Sequence, residues 1–116
     1  MRFGFDSVFY YVSDLDRAVR FYQDTLGFKV TSQDFVTRFD VGGVLFELVP
    51  TSDAQKLRGG GNARLCLSTT DIKSAVTELR NKGVKASEVQ DKQTGLLASF
   101  PDPDGNEICL WHDKAA

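Results

Sequence analysis

The sequence predicts an α+β fold of two βαβββ modules within a single domain of 116 residues. Three observations carry that prediction: an internal repeat, a helical spacing of apolar residues that stops at glycine in both copies, and strand-like runs in the same order around each helix. A chain of this length buries about 65% of its unfolded surface, so its core needs no disulfide staples.

The repeat sets SDLDRAVRFYQDTLGFKV, from Ser13, against TDIKSAVTELRNKGVKA, from Thr70. Asp14 matches Asp71, Leu15 matches Ile72, Ala18 matches Ala75 and Val19 matches Val76; after a slip of one residue, Gly27 matches Gly83 and Lys29 matches Lys85. Each copy opens on a polar capping residue. Leu15, Ala18, Val19, Tyr22 and Leu26, and then Ile72, Ala75, Val76 and Leu79, recur at helical spacing up to a glycine suited to a left-handed cap. Helices with one apolar face must cover something, and the flanking runs supply the sheets.

SVFYYV and ARLCLST precede the two helices. GFKVTS, DFVTRFDV and VLFELV follow the first helix, and GVKASEV, GLLASF and EICLW follow the second. Val41-Gly42-Gly43-Val44 reads as a two-residue hairpin turn and Asp102-Pro103-Asp104-Gly105-Asn106 as a longer one. Module 1 therefore covers about 1–50 and module 2 about 63–116, joined by a linker over about 51–62. That linker, TSDAQKLRGGGN, has three glycines at 59–61 and reads as a mobile connection, either without a role or serving as a flap over a ligand.

Composition narrows the function. A formal net charge of −2, from 16 acidic and 14 basic residues, gives no electrostatic basis for binding nucleic acid or anionic membrane. MRFGFDSVFYYV carries an aspartate within its apolar stretch and no small-residue cleavage site, and no apolar run approaches the roughly 18 residues of a membrane span. A cytoplasmic location is the expectation. The two cysteines are too few for a disulfide framework and show no CxxC spacing.

VSDLDRAVRFYQDTLGF, followed much later by DPDGNEICLW and combined with the repeat, resembles the vicinal oxygen chelate superfamily. That superfamily includes glyoxalase I, extradiol dioxygenases, fosfomycin-resistance enzymes and bleomycin-resistance proteins. The resemblance spans nearly the whole chain. It implies the glyoxalase/bleomycin resistance fold, a curved, cup-shaped mixed sheet with helices outside and a ligand in the concavity. It also implies four metal-ligand positions, on the first and last strand of each module, which fall here on Ser7, Glu47, Arg64 and Cys109. Only Glu47 is a typical ligand, and a guanidinium repels a cation while offering no lone pair. The expectation is therefore no metal and no cofactor, as in the bleomycin-resistance branch.

Strand alternation selects the residues that share the ligand-facing side. Ser7, Phe9 and Tyr11 form one set, Arg38 and Glu47 face each other across the hairpin, and Arg64, Cys66 and Ser68 lie beside Glu107, Cys109 and Trp111. His112, the only histidine, stands three positions from Cys109 and so on the opposite face, which excludes a Cys109–His112 dyad. Cys109 is then a small wall residue, or a thiol activated by Arg64 with Cys66 as its disulfide partner. Glu47 with Arg38 or Arg64 is a structural ion pair, or two arginines against one carboxylate leave a positive charge for a ligand carboxylate or phosphate unless Glu107 cancels it. Phe9, Tyr11 and Trp111 are core, or the walls of a pocket for a flat molecule.

The expected function is metal-independent binding of an aromatic or amphiphilic small molecule in the cup, a bleomycin-resistance-like sequestration, by a homodimer. The alternative is a glyoxalase-like lyase or isomerase, or an extradiol-type dioxygenase, with Glu47 as metal ligand or general base.

Overall fold

The computed structural model describes residues 1–58 and 63–115, and the three glycines read as part of a mobile connection lie outside the described residues. The chain divides into two compact units, Met1–Gly59 and Gly60–Ala116. Each holds a four-stranded mixed sheet with helical segments, and together they have the α+β architecture that the repeat predicts.

In the first unit, β1 (Val8–Val12) is followed by α1 (Leu15–Arg20), then β2 (Lys29–Gln33), β3 (Thr37–Val41) and β4 (Val44–Pro50), in sheet order β1-β4-β3-β2. In the second, β5 (Leu65–Ser68) precedes α3 (Ile72–Asn81), β6 (Gln90–Asp91), β7 (Gly95–Pro101) and β8 (Glu107–Asp113), in the equivalent order β5-β8-β7-β6. The first and last strands pair in parallel in both sheets, and the other pairings are antiparallel. Between the units' sheets in sequence, the stretch read as a linker contains a helical turn, α2 (Ala54–Leu57), begun by Asp53 accepting from Gln55 N–H at 2.9 Å.

Both long helices start and stop for the reasons visible in the sequence. Asp14 accepts from Arg17 N–H and Asp71 from Ser74 N–H, each at 3.1 Å, which satisfies donors that the first helical turn leaves without partners. Their apolar stripes are buried: Ala18, Val19 and Tyr22 in α1 and its continuation, Ile72, Val76 and Leu79 in α3. α1 packs on β4, and α3 packs on β7 and β8. The α3 terminus closes on Gly83 at φ +84°, with Gly83 N–H donating to Arg80 O at 3.0 Å and Val84 N–H to Leu79 O at 3.0 Å.

The first helix ends differently. Residues Phe21–Thr25 widen into a turn with longer hydrogen-bond loops, Leu26 N–H donating to Phe21 O at 3.1 Å and Phe28 N–H to Tyr22 O at 2.9 Å. Gly27, at φ +75°, still terminates the helix.

The first core is aromatic. Tyr22, Phe28, Phe39 and Phe46 meet with ring centroids 5.0 to 6.2 Å apart, and Tyr10 stands edge-on to Phe46 at 5.7 Å. The second core is mainly aliphatic, with Ala98, Phe100, Ile108 and Leu110 buried beneath α3's apolar stripe. The hairpin joining β3 to β4 pairs Val41 with Val44, as its glycines require, and Gly42 and Gly43 take φ +60° and +87°.

GVKASEV, read as a strand, forms none, and the strand begins only after it, at Gln90–Asp91. Earlier in that run the backbone finds other partners. Arg80 donates to Ala86 O at 3.1 Å and to Ser87 O at 3.0 Å, and the Ser87 hydroxyl oxygen accepts from Ser99 N–H at 2.9 Å. Side chains thus satisfy some of the groups that a longer ladder would have used, while Ser87 N–H keeps one backbone bond, to Ser99 O at 2.8 Å.

Candidate functional site

One face of each sheet carries its helix, and the residues picked by alternation lie on the other. In the first unit Phe9 is paired with Glu47 and Tyr11 with Val49 along β1 and β4, while Arg38 on β3 stands opposite Glu47. Phe9 and Tyr11 meet edge to face, with centroids 5.2 Å apart and planes at 85°. Phe9 remains 46% exposed, a large apolar ring that the fold has not covered within its own unit. Lys56, from α2, sets its Nζ 5.4 Å from the Tyr11 ring centroid, a cation over an aromatic face.

Arg38 is the polar hub of this face. Its Nε donates to Glu47 Oε2 at 3.1 Å, and one terminal nitrogen donates to Ser32 Oγ at 3.2 Å and to Asp34 Oδ2 at 2.9 Å. The sequence count of two arginines against one carboxylate missed Asp34. With two carboxylates in contact, the Arg38 charge is balanced inside the first unit, so the surplus positive charge expected for ligand binding does not come from Arg38. Alternation along DFVTRFDV already puts Asp34, four residues before Arg38, on the same face, but the count left it out; it sits in the turn between β2 and β3 with its side chain 57% exposed.

The Asp34 carboxyl is held below its ordinary value of 3.8, first by the Val36 N–H and then by Arg38; in return Asp34, then Glu47, holds the Arg38 guanidinium above its usual range. A carboxylate with a depressed folded pKa contributes stability that is complete above its unfolded pKa and is lost as pH falls through the folded value. For Asp34 that window lies below about 3.8. Carboxyl shifts followed by NMR should give Asp34 a midpoint below 3.8 in the wild type. In Arg38→Met the midpoint should rise only part of the way, because the Val36 N–H remains.

At the C-terminal ends of β1 and β4 an open depression of about 450 Å³ is lined by Ser13, Pro50, Thr51, Ser52 and Leu57. None of the residues singled out in the sequence lines it.

In the second unit Cys66 pairs with Cys109, Ser68 with Trp111, and Leu97 and Ser99 with Trp111 and Cys109 on the other side of β8. Both cysteines are free. Arg64 lies just before β5, is exposed, and donates to Ala63 O at 3.0 Å. Ser7, half-buried, lies just before β1 and so takes the equivalent place in the first unit. Glu107 begins β8, opposite Pro101.

Trp111 lies flat over Gly95. A Cβ on Gly95 would stand 2.6 Å from Cε2 and 2.7 Å from Cη2 of the indole, and nearer still to Cζ2. Gly95→Ala should therefore lift the ring from the sheet and cost about 2 kcal/mol, as overpacking does. Trp111 is the only tryptophan, so its emission maximum should move to the red in the variant. An unchanged spectrum and melting temperature would contradict this contact.

His112 pairs with Leu96 on the helix-bearing face, opposite Cys109, so the two form neither dyad nor chelate. Its Nδ1 is buried with no hydrogen-bond partner among the described residues.

The superfamily's metal requires several oxygen or nitrogen donors. The first unit offers Ser7 and a Glu47 already bonded to Arg38; the second offers Arg64 and Cys109. Among the described residues no three of His, Cys, Asp and Glu converge as a metal set. These residues do not fit a hard divalent cation.

The family model for the Glyoxalase/Bleomycin resistance protein/Dioxygenase superfamily matches residues 4–110. No protein with a curated description matches the chain. Among solved structures, TnmS3, an antibiotic-binding protein from a Streptomyces species, is 26% identical over 98% of this chain and 99% of its own, with a TM-score of 0.80. The fosfomycin resistance protein FosX from Listeria monocytogenes is 15% identical over 98% and 96%, with a TM-score of 0.82. Lactoylglutathione lyase from Agrobacterium tumefaciens is 18% identical over 94% and 92%, with a TM-score of 0.77. The last two share the fold alone. A model match across nearly the whole chain, on two sheets of equivalent strand order, makes the protein a member of the Glyoxalase/Bleomycin resistance protein/Dioxygenase superfamily.

Proposed function

We propose that the protein binds an aromatic or amphiphilic small molecule on the helix-free faces of its sheets, without a divalent metal, and sequesters it rather than transforming it. The exposed Phe9 ring beside Tyr11 carries this reading, since a large apolar ring left open next to a second aromatic and a cation suits stacking on a flat organic guest. Glu47 and Arg38 border the aromatic pair as a bonded unit, and Trp111 presents a further ring in the second unit. The likeness to an antibiotic-binding protein at 26% identity supports the same reading. The enzyme alternative asks Glu47 to serve as metal ligand or general base, and its ion pair with Arg38 weighs against both roles. Ser7, Arg64, Cys66, Glu107 and Cys109 complete the proposed ligand-facing set. We place the protein in the cytoplasm as a homodimer; light scattering would test the dimer. No helix among the described residues is long and apolar enough to cross a membrane.

The probe is anilinonaphthalene sulfonate, an amphiphilic aromatic dye, titrated into the native protein with and without a chelator. Saturable binding indifferent to the chelator is expected, weakened about tenfold by Phe9→Ala. Loss of binding on chelation, or an unchanged affinity in Phe9→Ala, would overturn the proposal.

A further inference from the structure

The second sheet brings two cysteines together; both belong to the proposed ligand-facing set and Cys109 holds a superfamily metal-ligand position, but neither role calls for two adjacent thiols. Cys66 on β5 and Cys109 on β8 are register partners on adjacent parallel strands and share the helix-free face. Both thiols are free, Cys66 exposed and Cys109 half-buried. Burial first, and then the neighbouring Cys109, hold the Cys66 thiol above its ordinary value of 9.0. Trp111 follows on the same face of β8, two residues beyond Cys109.

Geometry decides what such a pair can do. Adjacent strands lie about 4.8 Å apart, so register-paired Cβ atoms on one face stand about 5 Å apart. A disulfide requires about 3.8 Å between Cβ atoms, so forming one here would require the two Cβ atoms to close by about 1 Å. An ion between the sulfurs meets no such obstacle. Two thiolate bonds of about 2.3 Å in a line span about 4.6 Å, close to the strand spacing itself.

Coordination number then selects the ion. Zinc needs four donors, and no third His, Cys, Asp or Glu converges on the pair among the described residues. The polar side chains otherwise registered with Cys109 and Trp111 are the hydroxyls of Ser99 and Ser68, weak donors for any metal. Two thiolates without further ligands suit a soft cation content with linear coordination, copper(I) in kind.

We propose that Cys66 and Cys109 form a two-thiolate site for a soft, two-coordinate monovalent cation on the helix-free face of the second sheet. Two S–H bonds break and two S–metal bonds form; both protons pass to solvent and no electron is transferred. The proposal does not rest on the organic guest, though the two share the helix-free face of the second sheet.

Silver(I), the redox-inert counterpart of copper(I), is the probe, titrated into the reduced full chain with zinc(II) in a parallel arm. Native mass spectrometry should show one silver per chain with two protons lost, and Trp111 fluorescence should be quenched at the same equivalence point. Cys66→Ser and Cys109→Ser should each weaken silver binding by about 100-fold, the advantage of a preorganised second donor. Cys66→Ala, at an exposed position, separates loss of the ligand from loss of the fold and should match Cys66→Ser. Silver affinity unchanged in either serine variant, silver found only between two chains, or zinc bound as tightly as silver would each overturn the assignment. Dye binding plays no part in these readouts, so failure here leaves the small-molecule proposal standing, and the converse holds.

Discussion

Phe46→Ala should destabilise the protein by about 4 kcal/mol, read as a fall in the urea midpoint with an unchanged slope. Phe46 is 1% exposed and its ring meets Tyr10, Tyr22, Phe28 and Phe39 at centroid distances of 5.7, 5.0, 5.9 and 6.0 Å. These partners come from β1, the wide turn, the segment before β2, and β3, so one truncation opens a cavity among elements that cannot all collapse into it. A domain's whole stability is about 5–15 kcal/mol, so the variant would keep only a fraction of its folding free energy. Phe46→Leu, closer in volume, should cost about 1.5 kcal/mol. A loss below about 1.5 kcal/mol for the alanine variant would show that the aromatic cluster repacks.

Asp102→Ala should cost about 3 kcal/mol, through polar groups rather than packing. Asp102 is 4% exposed; its Oδ1 accepts from Asp104 N–H at 2.9 Å and Asn106 N–H at 2.8 Å, and its Oδ2 accepts from the Asn106 amide at 2.9 Å. One carboxylate therefore holds the turn between β7 and β8 in shape, and its removal strands donors in a partly buried loop. Asp102→Asn should recover more than half of the loss, because its amide oxygen keeps the two backbone bonds and the Asn106 amide can rotate to accept from its NH2. Equal melting temperatures for wild type and Asp102→Ala would refute this account.

The same Asp102 shows what kind of information the sequence carried. DPDGN was a family signature as well as a turn signal, and its aspartate acts on the loop that contains it, within reach of a local reading. The Arg38–Glu47 pairing was legible too, since a two-residue hairpin fixes register and a period of two fixes the face. The separation of Cys109 from His112 followed from the same alternation. What escaped depends on how far side chains reach through space. Lys56 reaches Tyr11 from a helix hidden in the supposed linker, and Arg80 takes the carbonyls of Ala86 and Ser87 within the run read as a strand. Gly95 gave no hint that an indole needed its missing methyl group.

The widened turn at Phe21–Thr25 explains the offset between the two halves of the chain. The carbonyls receiving the closing bonds, Tyr22 O and Leu79 O, occupy matching places in the two copies, yet the donor lies one residue farther along in the first, at Phe28, than in the second, at Val84. A surplus residue in a regular helix would turn everything after it by about 100°. Here the looser coil takes up that rotation locally, and both copies still reach a terminal glycine and a following strand. The first copy thus carries one residue more than the second, and its helix accommodates it while the sheets keep equivalent strand orders.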